Sequence, residues 1–392
     1  MYTDKYKSSC AVTGCPKIIL LYDCYISLFT ISLLKNQNDS LSSFYYYSLS
    51  KKFKINIMKK IFTLYALLFI VSQNASAKIW RINNNLGIAA DFTDIPAAVT
   101  AAAAGDTIMV EASATTYSGP TLTKKLIIIG TGYYLTETSP AVANPKTQAN
   151  TNIVNIGQTL FNSGSAGSVI EGVSCNNITL DESSITIERN NISSIYILDY
   201  SAAANIVNDT IRQNVIGSIQ TNNPSKTASN LLIYNNIISS YGALFGTQYA
   251  NFSGYYINNI FLASSGYTFT CSNFTFQNNI FNGSNFGSYL SSNAFFNNLE
   301  VGNNLPSGNG NVHNVNLDNV FVGYSSGTGF SSDGRYKLKA GSLASGAGSL
   351  NSVTVDCGAF GGPAPYILSG MPAIPSIYVL TVPSSVPSGH PT

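Results

Sequence analysis

The chain has 392 residues, enough for one large domain or two ordinary ones, and only 10% of them are charged against roughly 25% in an average soluble protein, so uncharged polar groups must supply its solubility. Nine of the 20 basic residues precede residue 61, which leaves 11 Lys and Arg against 15 Asp and Glu from Lys78 onward. With no basic stripe to neutralise phosphates, a nucleic-acid partner is not expected.

Residues 1–57 are rich in Tyr, Ser, Lys and Phe without sustained periodicity, and they read as a non-native or disordered extension with the true start at Met58. A membrane span over residues 18–34 would enclose Asp23, at about 2.5–3.5 kcal/mol near a bilayer centre, so no stable span is expected. From Met58 the chain runs Lys59-Lys60, an apolar stretch over 61–71, then Ala75-Ser76-Ala77. That is the layout of a signal peptide, residues 58–77, cut after Ala77. Its apolar stretch is far shorter than the roughly 20 residues a span needs. The mature protein is therefore expected to be secreted or held at the cell surface.

Thr93-Asp94-Ile95-Pro96, an alanine-rich stretch over 97–104 and Gly105 predict a helix with polar capping candidates and an early proline. Placed there, it would cap the open end of a sheet stack, whose first coil has unpaired backbone groups. Residues 107–110 and 126–130 read as buried strands separated by a turn at Tyr117-Ser118-Gly119-Pro120.

Further on, the pattern apolar-x-x-Asn-x-apolar recurs. Copies start at Ile187, Ile211, Ile233, Tyr256 and Phe276, and a degenerate sixth starts at Phe295 and ends on Glu300. Their asparagines, Asn190, Asn214, Asn236, Asn259, Asn279 and Asn298, are 24, 22, 23, 20 and 19 residues apart. Such a period suits a leucine-rich repeat or one coil of a parallel β-helix. The β-branched and aromatic pattern residues, and spacers of Ser, Gly and Asn without a helical stripe, decide for the β-helix. Domain 78–362 is thus expected to be an all-β, right-handed, single-stranded parallel β-helix with an N-terminal capping helix. Coils stack about 4.8 Å apart, so like residues form columns. The asparagine column is expected at the bend between strands, with Asn in the left-handed conformation and its amide bonded to the next Asn. Asn176 also fits the pattern, yet stands only 14 residues before Asn190.

From Pro363 the chain becomes proline-rich, and residues 363–392 read as an extended linker or tail, or as the start of a truncated further module. Three cysteines remain after residue 77, Cys175, Cys271 and Cys357, too few and too scattered for a disulfide framework. Neither His313 nor His390 is near a cysteine pair, so no metal site is read, and the thiols are expected as small buried apolar groups.

Acidic candidates for chemistry are Asp181, Glu182, Glu188, Asp199 and Asp209. Glu188, Arg212 and Tyr234 each stand two residues before a ladder asparagine, and so share one outer column on successive coils. They form the candidate binding stripe for a sugar: a carboxylate, a guanidinium and an aromatic face. The competing reading is a surface ion pair beside a tyrosine, worth about 0–1 kcal/mol, and stacked strands favour such pairs anyway. Hydrolysis would need two carboxylates about 5–9.5 Å apart. Glu188 and Asp209 are the nearest pair, though offset by three positions along the strand. Asp106, between Gly105 and Thr107, reads as a turn residue. Tyr196, Tyr200, Tyr241, Tyr249 and Tyr267 are placed on outer faces, where rings serve either sugar binding or simple sheet packing.

Residues 101–110, Tyr117-Ser118-Gly119 and 124–130 resemble the opening coil of pectin-lyase-like right-handed β-helix proteins, and the Asn-centred copies resemble their repeats. Residues 335–342, 346–348 and 356–362 resemble the close of such domains in secreted bacterial proteins. That family holds polysaccharide lyases, glycoside hydrolases and adhesins, so the resemblance speaks to fold more than to function. No catalytic residue is assigned. The resulting expectation is a monomeric, non-catalytic protein that binds polysaccharide or a cell-surface glycan. The alternative is a calcium-assisted lyase, or a glycoside hydrolase, acting on acidic polysaccharide; calcium is implied only there, and no other cofactor is expected.

Overall fold

The computed structural model describes residues 56–63, 77–135, 137, 152–198, 205–221, 226–239, 252–263, 269–326 and 329–374. Asp199, Tyr200, Tyr241, Tyr249, Tyr267, His390, most of the expected extension and signal segment, and residues 375–392 lie outside the described residues. The chain divides into two compact units, 1–76 and 77–392. In the first, residues 56–63 are helical. Among the described residues no helix is long and apolar enough to cross a membrane.

The second unit is an all-β parallel solenoid. Two sheets, of eleven and ten strands, run its length, and each strand pairs in parallel with its counterpart on the next coil. In the first sheet, Thr186–Glu188 pairs with Thr210–Arg212, which pairs with Thr227–Tyr234. In the second, Asn191–Ile197 pairs with Val215–Gln220, followed by Ile237–Ile238, Ile260–Phe261, Ile280–Phe281 and Leu299–Glu300. Alternation of side chains across each strand puts every second residue inside. One interior column of the first sheet reads Ile108, Ile128, Ile170, Ile187, Ile211, Ile233, Tyr256, Phe276 and Phe295, all buried. Each such side chain contributes roughly 1.5–3 kcal/mol by leaving water. Toward the far end aliphatic residues give way to rings: Tyr256 stacks on Phe276 at 4.9 Å and Phe261 on Phe281 at 4.7 Å.

The helix expected near residue 95 is Ile95–Ala101, with Pro96 in its first turn, and it buries Ile95, Ala98 and Val99 in the main core. Asp94 occupies its N-cap without a side-chain capping bond. Asp106 closes a turn as expected, its N–H donating to Ala103 O at 3.1 Å, and also staples this end: its carboxylate accepts from the backbone N–H of Lys78 and Ala103 and from Trp80 Nε1. Those bonds, Lys78's first, hold its carboxyl below the usual range.

All six ladder asparagines are fully buried and in line. From Asn214 on, each Oδ1 accepts both the backbone N–H and the Nδ2 of the asparagine one coil earlier, as Asn236 does from Asn214 at 3.0 Å each. The left-handed conformation, however, belongs to the preceding residue. Arg189, Gln213, Asn235, Asn258, Asn278 and Asn297 have φ between 53° and 57°, and the ladder asparagines do not. The turn between sheets needs one residue in that region, and the Asn after it is left free to aim its amide along the axis. A seventh member, Asn311, accepts from Asn298 at 3.0 and 3.1 Å. Asn176 is not a member: Cys175 pairs with Ile192, so Val173 occupies the ladder position, and its N–H donates to Asn190 Oδ1. That coil is simply shorter.

Beyond the last coil the chain folds back over the outer face of the second sheet. Ile237, Ile260, Ile280 and Leu299 form a second core with Val315, Leu317, Val320, Phe321, Cys357 and Tyr366. Residues 363–371, where the prolines predicted a linker, also pack onto the solenoid. Gln213 Nε2 donates to Ala364 O and Pro365 O, and Tyr366 is buried, its hydroxyl bonded to Tyr133 and Asp333. Cys175, Cys271 and Cys357 are buried free thiols, and burial pushes those of Cys175 and Cys357 up to about 11 and about 12.

Candidate functional site

The register does bring Glu188, Arg212 and Tyr234 together. They are paired neighbours on three successive coils, preceded by Glu171 in the same column. Arg212 Nε donates to Glu188 Oε2 and Nη1 to the Tyr234 hydroxyl at 2.9 Å. Beside this column, Arg189 reaches Glu171 at 3.5 Å and donates to Gln213 Oε1 at 3.0 Å. The stripe is less open than a surface pair: the Glu188 side chain keeps 11% of its exposure and that of Arg212 33%. Residues 364 and 365, tied to Gln213, roof its edge. Glu171, Arg189 and Gln213 escaped the sequence reading because the Glu171 coil has Gly172 and Val173 where later coils have Arg-Asn or Gln-Asn.

Chemically, this cluster is closed on itself. Both carboxylates already accept from arginines, and both arginines are engaged. Burial, and then the charge of Glu188, push the Glu171 carboxyl above its ordinary range. Asp209 does not join Glu188 as an acid pair. It is 1% exposed, its Oδ1 accepts from Ile185 N–H at 2.8 Å, and its Oδ2 meets no partner among the described residues. Burial pushes its carboxyl up to about 7. Among the described residues no three His, Cys, Asp or Glu side chains gather as metal ligands. Among the described residues, the His313 ring meets only Glu300, at 2.5 Å through Nδ1.

The open site lies elsewhere, on the outer face of the second sheet, in a groove of about 410 Å³. Its floor includes Asn191 and, one coil after another, Ser193, Gly217, Ser239 and Leu262, and its opposite wall is Tyr134, Ser332 and Tyr336. Among the described residues that line it, none is charged. Gly217 is required by stacking rather than by a ligand, since a Cβ there would stand 2.1 Å from Ser193 O.

The wall is held rigidly. Ser332 donates its N–H and hydroxyl to the two carboxylate oxygens of Glu137 at 2.6 and 2.9 Å, which pins the segment bearing Tyr134 to the segment bearing Tyr336. Tyr134 takes φ 53°, unusual for a bulky residue, and packs edge-on against Tyr133 at 5.0 Å. Tyr133 is anchored through Tyr366 to buried Asp333, which also accepts from Ser331 Oγ and Ser369 N–H. Burial, then the Asp333 charge, push the Tyr134 phenol up to about 12. It therefore stays a neutral hydroxyl, able both to donate and to accept. No sequence pattern announced this wall, because its residues come from two segments about 200 positions apart, by the span from Tyr134 to Tyr336. Comparison with protein-family models finds no match, and comparison with curated proteins finds none either.

Proposed function

We propose that this chain is an exported, pectin-lyase-like β-helix protein that binds an uncharged glycan in the tyrosine-walled groove, without cleaving it. The observation that carries this reading is the lining: half-buried tyrosines opposite Asn and Ser, and no charge. Sugars offer apolar ring faces that stack on aromatic side chains, and hydroxyls that need neutral donors and acceptors. A groove without charge does not favour an acidic chain over a neutral one. The Glu188–Arg212–Tyr234 stripe then serves to hold coils together.

The test is calorimetric titration of the purified protein with neutral and acidic oligosaccharides. Binding to a neutral member is expected, and Tyr336→Ala should weaken it by about tenfold, or about 1.4 kcal/mol. No binding to any neutral glycan would overturn the proposal.

One observation favours a second reading, a lyase or hydrolase acting on acidic polysaccharide. Glu171 and Glu188 are adjacent on the outer column, and the first has a raised carboxyl, as a general acid requires. Release of an unsaturated or reducing product, with or without added calcium, and its loss in Glu171→Gln would establish that reading.

A further inference from the structure

The floor of the groove does not stop at Leu262. Backbone register continues the same outer column to Asn282 and Val301, since Phe261 pairs with Phe281 and Phe281 with Glu300. Asn282 Nδ2 donates to Leu262 O at 2.8 Å, which joins the two coils at this column. Asn282 and Val301 in turn floor a second hollow of about 350 Å³, walled by Asn314, Asn316, Leu317 and Tyr324 and again without charge. The two walls share one support: buried Phe321 packs behind them against both Tyr336, at 5.8 Å, and Tyr324, at 6.1 Å. Tyr134, Tyr336 and Tyr324 thus form a row facing the column Ser193, Gly217, Ser239, Leu262, Asn282 and Val301.

On the reading that the groove binds glycan, we infer that both hollows are one cleft, which takes a linear, uncharged oligosaccharide laid parallel to the solenoid axis. Five coil steps separate Ser193 from Val301, a span of about 24 Å at about 4.8 Å per step. An extended chain of pyranose rings advances by a similar step per sugar, so about five sugars fill the cleft, roughly one for each coil step. The periodic floor repeats its polar edge at the period of the ligand, and the tyrosine row supplies stacking faces along it. A second copy of the chain is a poorer occupant, because the two hollows together offer far less surface than the roughly 800 Å² per partner that a stable interface buries.

The experiment titrates the full chain with cello-, xylo- and manno-oligosaccharides from the dimer to the octamer. In the series that binds, affinity is expected to climb at least tenfold from dimer to pentamer and then level off. Tyr324→Ala should flatten that climb. Val301→Trp, at a site 38% exposed, should do the same by filling the far hollow without touching the core. Circular dichroism of both variants establishes that they fold. A dimer that binds as tightly as the pentamer would overturn the axial cleft while leaving glycan binding intact. Absence of binding in all three series would overturn both. Self-association that Tyr324→Ala relieves, with no response to oligosaccharide, would show a second copy in the cleft and likewise overturn it.

Discussion

Asp209 shows what a single buried carboxyl imposes on this molecule. Its folded-state value, about 7, lies above the ordinary 3.8, so the folded chain holds a proton that the unfolded chain releases. The stability it contributes is complete below about pH 4 and is lost as pH rises to about 7, an effect on the order of 4 kcal/mol at full ionisation. Asp209→Asn keeps an oxygen for Ile185 N–H and carries no charge. The expected outcome is equal stability at pH 4 and a growing advantage for the variant up to pH 7, measured as the difference in urea midpoints between the two proteins. No slope in that difference would refute the assignment. Asp106, whose carboxyl is depressed by its bonds to Lys78 and Trp80, works in the opposite sense and stabilises only above its folded value, and subtraction removes it. Residue identity made Asp209 visible in the sequence as an acid. Its neighbour Ile185 could not be read, because which backbone N–H a side chain meets depends on the coil stacked beside it.

Among elements, the asparagine row ties seven successive positions together by side-chain hydrogen bonds. Asn236 accepts from Asn214 twice and donates to Ile211 O and Asn259 Oδ1, all with no access to water. Asn236→Ala strands the donors of Asn214 and the carbonyl of Ile211. At about 1–3 kcal/mol for each buried unpaired group, a loss of about 3 kcal/mol or more is expected in chemical denaturation. A change below about 1 kcal/mol would mean that water replaces the amide. This row was legible because the spacing of the Asn-x-apolar pattern stays between 19 and 24. Asn311 was not, since it follows Asn298 after only 13 residues, inside a turn-rich stretch with two left-handed glycines, Gly308 and Gly310. The stripe Glu188, Arg212 and Tyr234 was legible for the same reason of period, whereas its burial was not. The partners that roof it come from residues near 365, which no local pattern links to residue 213.

For the whole molecule, coils that contact chiefly their neighbours make stability a sum over coils and interfaces. Residues 237–259 span one ladder period. A tandem copy of that stretch should insert as an extra coil, raise the unfolding temperature and lengthen the solenoid by about 4.8 Å, measurable by small-angle scattering. A lowered temperature or an unchanged length would count against additivity. The tyrosine-walled cleft belongs to this scale too. It depends on the chain folding back over its own sheet, and the sequence carried only its ingredients.

Glu300 closes the second sheet's interior column, where Cys175, Ile192, Ile216, Ile238, Phe261 and Phe281 precede it. It is wholly buried and fully engaged, accepting from Asn304 N–H, Leu305 N–H and the Ser284 hydroxyl and meeting His313. Each earlier position offers grease to the coil above; this one offers a charge already claimed by its own loop. Another molecule docking end-on would have to strip that loop away and seal a carboxylate under hydrocarbon. A stack that would template its own growth thus meets, at this end, a covered carboxylate in place of an apolar coil.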